Sequence, residues 1–201
     1  MTASNAIVVK LGGSLLDLPG LGRELRGWLD ALPTRHVILI VGGGQAADVI
    51  RELDRIHHFG EAPAHWLAVR ALSLAGRVVA ELLPASRFVT ALGDCEETWA
   101  VDCTPILDPH PVLLGDWSQE GELPHRWSVT SDSIAARVAR LVGAAELILL
   151  KSRAASEGHT WAELAKEGFV DEFFPTVAQQ LPAVRVVNFR DLENRWNASK
   201  P

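Results

Sequence analysis

Ala6-Ile7-Val8-Val9-Lys10-Leu11-Gly12-Gly13-Ser14-Leu15 is an apolar, β-branched run that ends in a lysine, two glycines and a serine. Such a run reads as a buried strand. The glycines let backbone N–H groups turn toward an anion without a Cβ in the way. The lysine beside them adds a compact charge suited to a phosphoryl oxygen. The pattern returns at His36 to Val41, a second buried strand followed at once by Gly42-Gly43-Gly44. In a parallel sheet both runs open at the carboxyl edge, where ligands bind, and they read either as a phosphate-binding site or as tight strand-to-helix turns. The glycines do not follow the P-loop or dinucleotide spacing.

The rest of the chain alternates strand and helix, which predicts an α/β fold: a three-layer α/β/α sandwich with a mainly parallel central sheet. Helix is predicted over 21–32, with Leu21, Leu25, Trp28 and Leu29 on one face, and over 45–57, with Ala46, Val49, Ile50 and Leu53. A longer helix is predicted over 64–83, stopped by Pro84. Short strands are expected at Arg87 to Thr90 and Thr104 to Leu107. Residues 108–127 hold three prolines, two glycines and two tryptophans and read as loop with a hairpin. A helix follows from Ser131 to Val142, then a buried strand from Glu146 to Leu150 that delivers Lys151. The tail predicts helices near 160–167 and 175–181 and a last strand at Val184 to Val187. No linker divides the 201 residues, so one domain over 1–201 is expected.

The net charge of −6 argues against a general nucleic-acid binder but leaves room for a local phosphate site. No apolar stretch reaches the ~18 residues that span a membrane, and no signal peptide is visible, so a cytoplasmic location is expected. Cys95 and Cys103 form no metal-ligand pattern and read as two free thiols.

A hydroxyl-rich cluster, Trp127-Ser128-Val129-Thr130-Ser131-Asp132-Ser133, precedes the helix of small residues that begins near Ser131. Read alone, it is either a capped helix start or a site element. Lys151, likewise, is either a solvated strand end or a functional cation.

Together these segments resemble the amino acid kinase family, which includes acetylglutamate, aspartate, uridylate and carbamate kinases. The matching elements are Lys10-Leu11-Gly12-Gly13-Ser14, Val41-Gly42-Gly43-Gly44, Thr130-Ser131-Asp132-Ser133-Ile134-Ala135-Ala136 and Leu150-Lys151, in the family's order. The resemblance implies ATP as phosphoryl donor, with Mg2+ held through the ATP phosphates and no metal-ligating residue set. It implies that Lys10, Asp132 and Lys151 are catalytic. Lys10 would hold the transferring group, Asp132 would orient both lysines, and Lys151 would stabilise the leaving β-phosphate. Gly12, Gly13, Ser14, Gly44 and Ser152 would join Lys10 and Lys151 in binding the nucleotide. Gly42, Gly43, Thr130 and Ser131 would line the acceptor side.

Many members follow the late lysine with Val-Asp-Gly-Val; here Ser152-Arg153-Ala154-Ala155-Ser156-Glu157-Gly158 takes its place, without an aspartate. An aromatic and histidine set, His65, Trp66, Trp117, His125 and Trp127, suits a flat, ring-bearing acceptor. In that respect the chain is most similar to the small subgroup of furan-phosphate kinases of methanofuran biosynthesis. The expected function is therefore transfer of the ATP γ-phosphoryl group to a phosphate or carboxylate acceptor, with an aminomethylfuran-methyl phosphate as the first choice. Uridylate or amino-acid kinase activity, or a non-catalytic ligand-binding relative, stand as alternatives. The expected partners are a small-molecule acceptor and further copies of the chain as a homo-oligomer, with neither nucleic acid nor membrane.

Overall fold

The computed structural model describes residues 6–191. Six strands form one sheet in the order β3-β4-β2-β1-β5-β6, and all five pairings are parallel. The strands are β1 (Ile7–Leu11), β2 (Val37–Val41), β3 (Ser86–Val89), β4 (Thr104–Leu107), β5 (Glu146–Lys151) and β6 (Val184–Asn188). β1 and β2 are buried at every position, as expected of central parallel strands covered on both faces.

Side-chain alternation splits the core in two. Ile7, Val9 and Leu11 face one layer with Leu25, Leu29 and Val79. Val8 faces the other with Ile134, Val138, Phe174 and Val177. The helices that cover these faces include α1 (Leu21–Asp30), α3 (Glu61–Leu82), α6 (Ser131–Leu141) and α8 (Phe174–Ala178). α2 (Gly44–His57) packs along α3, and α7 (Trp161–Lys166) along α8. The three-layer arrangement and the parallel sheet are those predicted from the sequence.

Two segments differ from the sequence reading. Residues 109–116 form a helix, α5 (Pro109–Asp116), where a loop and hairpin were expected. Asp108 caps it by accepting from the His110 backbone N–H at 3.0 Å. Pro109 stands in the first turn, where its missing N–H costs nothing. Pro109 and Pro111, which read as breakers, lie in the first turn of this helix, and Pro124 stays in loop. A short helix, α4 (Asp94–Trp99), had no sequence signal beyond its three first-turn acids. α3 also begins earlier than expected, at Glu61, because Pro63 lies in its first turn.

The order places β1 in the middle, with the chain leaving to β2 on one side and returning to β5 on the other. This is a switch point of an open parallel sheet, where a crevice opens beyond the carboxyl ends. Both glycine runs, Lys10 and Lys151 lie at that edge.

Candidate active site

Register sets the geometry. Lys10 pairs with Leu149 of β5, and Lys151 lies two residues further along the same strand. The period of two therefore puts both lysines on the face occupied by Val8, the face that α6 covers. Asp132, in the first turn of α6, meets them. Lys10 Nζ is 2.9 Å from Asp132 Oδ1. Lys151 Nζ donates to Oδ1 at 2.9 Å and Oδ2 at 2.8 Å, and to the Phe169 carbonyl at 2.7 Å. The three side chains are only 5%, 6% and 12% exposed for Lys10, Asp132 and Lys151.

Two ammonium groups share one carboxylate in a buried place, and Asp171 is a further carboxylate that acts on Lys151. Buried charge is costly unless countered, and an anion arriving at the sheet edge adds counter-charge to the lysines. Burial pushes the Asp132 carboxyl up, but Lys10 and Lys151 outweigh it and hold it below the ordinary carboxylate range. Burial and the neighbouring Lys10 push the Lys151 ammonium down to about 8, against the pull of Asp132.

This has a pH consequence. Above about pH 8 Lys151 loses its proton in the free protein, so kcat/KM should fall with rising pH. A bound polyphosphate holds the proton on, so kcat should fall at higher pH than kcat/KM. Stability should move the other way. Between about 8 and the model-compound value of 10.5 the unfolded chain binds the proton that the folded one has released, so this group's contribution rises with pH. Rate profiles paired with thermal melts over pH 7–10 check both signs. A Lys151→Arg variant should lose the alkaline limb.

The two glycine loops pack on each other. A Cβ on Gly13 would stand 2.3 Å from the Gly44 backbone nitrogen, and one on Gly42 would stand 2.8 Å from the Gly13 nitrogen. Gly44 has φ +54°, which glycine adopts freely. The Gly12 N–H is spent on the Leu150 carbonyl and the Gly42 N–H on the Leu11 carbonyl, each at 2.9 Å. These two glycines tether the loops to the sheet rather than offering donors to a ligand, which corrects the role expected for Gly12. Gly13, Gly43 and Gly44 remain at the crevice. Ser14 Oγ donates to Ser152 Oγ at 2.9 Å, joining the loops after β1 and β5.

A cavity of about 250 Å³ opens over the glycines, lined by Gly13, Ser14, Gly42, Gly43, Gly44, Arg51, His65, Trp127, Thr130 and Ser131, with apolar Val69, Leu72 and Ile134 behind. Trp127 is fixed by its Nε1–H, which donates to Asp54 at 2.8 Å. The Arg51 guanidinium lies 5.0 Å from the Trp127 ring centroid and pairs with Asp48 at 2.6 Å. His65 is buried, and its Nδ1 lies 3.2 Å from the Arg126 carbonyl. Burial above all pushes it down to about 4, so it is a neutral wall. Trp66, expected on the acceptor, lies outside this lining. It stacks on Trp117 at 5.9 Å and packs against His125 at 4.7 Å, bracing the segment that carries Trp127.

A wider cleft of about 970 Å³ is lined by Asp132, Lys151, Phe169 and Asp171 among others. Thr130 and Trp127 line both spaces. Asp132 and Lys151 line this wider cleft, and the smaller cavity reaches their neighbours Thr130 and Ser131. Asp171 and Arg51 escaped the sequence reading. Asp171 sits among phenylalanines with no motif around it, and Arg51 looked like one more residue on the polar face of α2.

Residues 5–154 match the model of the family described as "Amino acid kinase family". A [5-(aminomethyl)furan-3-yl]methyl phosphate kinase of Methanocaldococcus jannaschii is 30% identical over 143 residues, which are 71% of this chain and 63% of that protein. The chain thus spans somewhat less than two thirds of that relative. Among solved structures, uridylate kinase from Archaeoglobus fulgidus superposes with a TM-score of 0.61 at 16% identity, over 92% of each chain. Carbamate kinase from Giardia lamblia bound to AMP-PNP gives 0.55 at 12% identity, over 98% of this chain and 97% of that one. These two likenesses concern the fold.

Proposed function

This chain belongs to the amino acid kinase family, and from that premise we propose that it is a cytoplasmic, ATP-dependent phosphotransferase acting on a small phosphate-bearing acceptor. The observation that carries the reading is the buried Lys10–Asp132–Lys151 cluster at the sheet edge, two ammonium groups on one carboxylate, with Asp132 and Lys151 lining a cleft. A module that only bound a ligand would have no use for two lysines locked on one buried carboxylate.

In this reading Lys10 holds the transferring phosphoryl group and Lys151 stabilises the charge that grows on the leaving phosphate. Asp132 keeps both ammonium groups aimed and takes no proton. The N–H groups of Gly13, Gly43 and Gly44 face the oxygens between donor and acceptor. Catalysis is positioning and electrostatic stabilisation, with no covalent enzyme intermediate. Mg2+ would be held by ATP phosphate oxygens and water and would neutralise their charge. That suits a site whose buried carboxylate is already engaged by two lysines.

The acceptor best supported is an aminomethylfuran-methyl phosphate, as in methanofuran-type cofactor biosynthesis, by analogy with the relative at 30% identity. The smaller cavity fits it in kind: a phosphate at the glycines and a flat ring against Trp127, under apolar Val69 and Leu72. Incubation with ATP, Mg2+ and this acceptor, followed by 31P NMR, should show a new diphosphate. Trp127→Ala should raise the acceptor KM by about tenfold, the scale of one lost aromatic contact, and leave the ATP KM unchanged. Formation of UDP from UMP, with no furan diphosphate, would assign uridylate kinase activity instead. ATP binding without any transfer would leave a binding protein.

A homo-oligomer belongs to the same reading. α2 and α3 expose Val49, Leu53, Ile56, Leu67, Leu74, Val78 and Leu82. Exposed apolar side chains grouped on two packed helices favour an interface with another copy. Light scattering should report a multiple of the 21.8 kDa chain mass, and a monomer would remove this part of the reading.

A further inference from the structure

Asp171 lies on the loop between α7 and α8 and is partly buried beside the charged cluster. Its Oδ2 accepts from the Thr130 backbone N–H at 3.0 Å, the Thr130 hydroxyl at 2.9 Å and the Ser133 backbone N–H at 2.9 Å. Its Oδ1 accepts from the Ser133 hydroxyl and, at 2.9 Å, from the Phe174 backbone N–H. Thr130 is the residue at the N-terminal cap of α6, yet its own side chain caps nothing. Asp171 does the capping from 41 residues away in sequence. A distant carboxylate on the first-turn N–H groups is also favoured by the helix dipole. The residues it holds, Thr130 and Ser133, flank Asp132.

We propose that Asp171 is the positioning residue of the site: it clamps the first turn of α6 and thereby fixes Asp132 between Lys10 and Lys151. The inference rests on the kinase reading for its effect on turnover, and on geometry alone for its effect on the cluster. Without the clamp the first turn of α6 has only water and its own frayed backbone to satisfy its N–H groups. Asp132 then spreads over several positions, and both lysines lose their fixed aim.

The charge of Asp171 has a second effect. Lys151 faces Lys10 from β1, Asp132 from α6, Asp171 from the loop before α8, and Arg153, which shares the Phe169 ring with it. Lys166 and Glu172 line the same cleft. Asp171 is one of the two carboxylates here that favour the charged form of Lys151. Burial and the repulsion of Asp132 push Asp171 itself above the ordinary carboxylate range, and its hydrogen bonds with Ser133 and Thr130 oppose them. All five hydrogen bonds that its two oxygens make with Thr130, Ser133 and Phe174 are accepted ones, the pattern that suits a carboxylate.

The test uses Asp171→Asn and Ser133→Ala. The sequence has four lysines, Lys10, Lys151, Lys166 and Lys200, so each 13Cε signal can be assigned and titrated by NMR without any turnover. In Asp171→Asn the Lys151 midpoint should fall by roughly half a pH unit, the scale for losing one nearby opposite charge behind another. The kcat per folded molecule should fall by roughly tenfold or more, and the alkaline limb should shift with the Lys151 midpoint. Ser133→Ala keeps every charge and removes one clamp bond, so kcat should fall severalfold with the limb in place. A residue that only stabilised the fold would lower the melting temperature and leave the Lys151 midpoint where it was. An unmoved midpoint in folded Asp171→Asn overturns the proposal, as does unchanged kcat in Ser133→Ala should the first variant fail to fold. If the wild-type protein transfers no phosphoryl group, the kinase reading falls, while the NMR titration still decides the role of Asp171 in the cluster.

Discussion

Replacing Lys10 with alanine should reduce kcat by about 10²–10³-fold, the scale for removing one preorganised charge from a developing anion. Two neighbouring cations are already engaged. Lys151 is held by Asp132 and the Phe169 carbonyl, and Arg51 is engaged by Asp48 at the far side of the cavity. The KM for ATP should change far less, because contacts to the rest of the nucleotide survive. Lys10→Arg should recover little. A guanidinium is longer and planar, and the buried slot between β1 and α6 is cut for a compact ammonium. Steady-state kinetics on both variants, with melting curves to confirm folding, check this.

Asp132→Ala should do more damage, and to two properties at once. It removes the carboxylate that contacts both lysines and leaves two buried ammonium groups facing each other. Stripping one partner from a buried ion pair costs about 3–5 kcal/mol, which for a chain of this size lowers the melting temperature by roughly 10 °C. The surviving lysines relieve the repulsion by shedding a proton, so Lys151 should titrate below its value of about 8. Turnover should fall by about 10³-fold or more, since aim and charge are both lost. Asp132→Asn keeps the shape and should retain more stability than the alanine variant but hardly more activity. That contrast separates the electrostatic role from packing.

The strands and the strand-end site were legible in the sequence for a physical reason. A central parallel strand must be apolar at every position, so Val37–Val41 and Leu147–Leu150 announce themselves. A lysine or a glycine run at the end of such a strand is then conspicuous. Lys10, Asp132 and Lys151 could each be named, and the period of two in β1 and β5 places both lysines on one face.

Segments whose structure depends on distant partners were not legible. α5 needed Asp108 as its cap, and its prolines read as breakers until the first turn was seen. Trp66 and Trp127 looked alike in sequence, yet only Trp127 lines the cavity, because Asp54 holds its indole from α2. Asp171 carried no signal at all. Its meaning comes from five hydrogen bonds, four of them to a helix start some 40 residues earlier.

The most direct measurement is a structure of the protein with a non-hydrolysable ATP analogue, Mg2+ and the acceptor. The account predicts γ-phosphate oxygens within hydrogen-bond reach of Lys10 Nζ, at about 2.7–3.0 Å. Lys151 Nζ should lie at the β-phosphate, Asp132 should still bridge the two lysines, and the acceptor phosphate should rest on Gly43 and Gly44. Nucleotide phosphates bound elsewhere, with both lysines left on Asp132 alone, would contradict it.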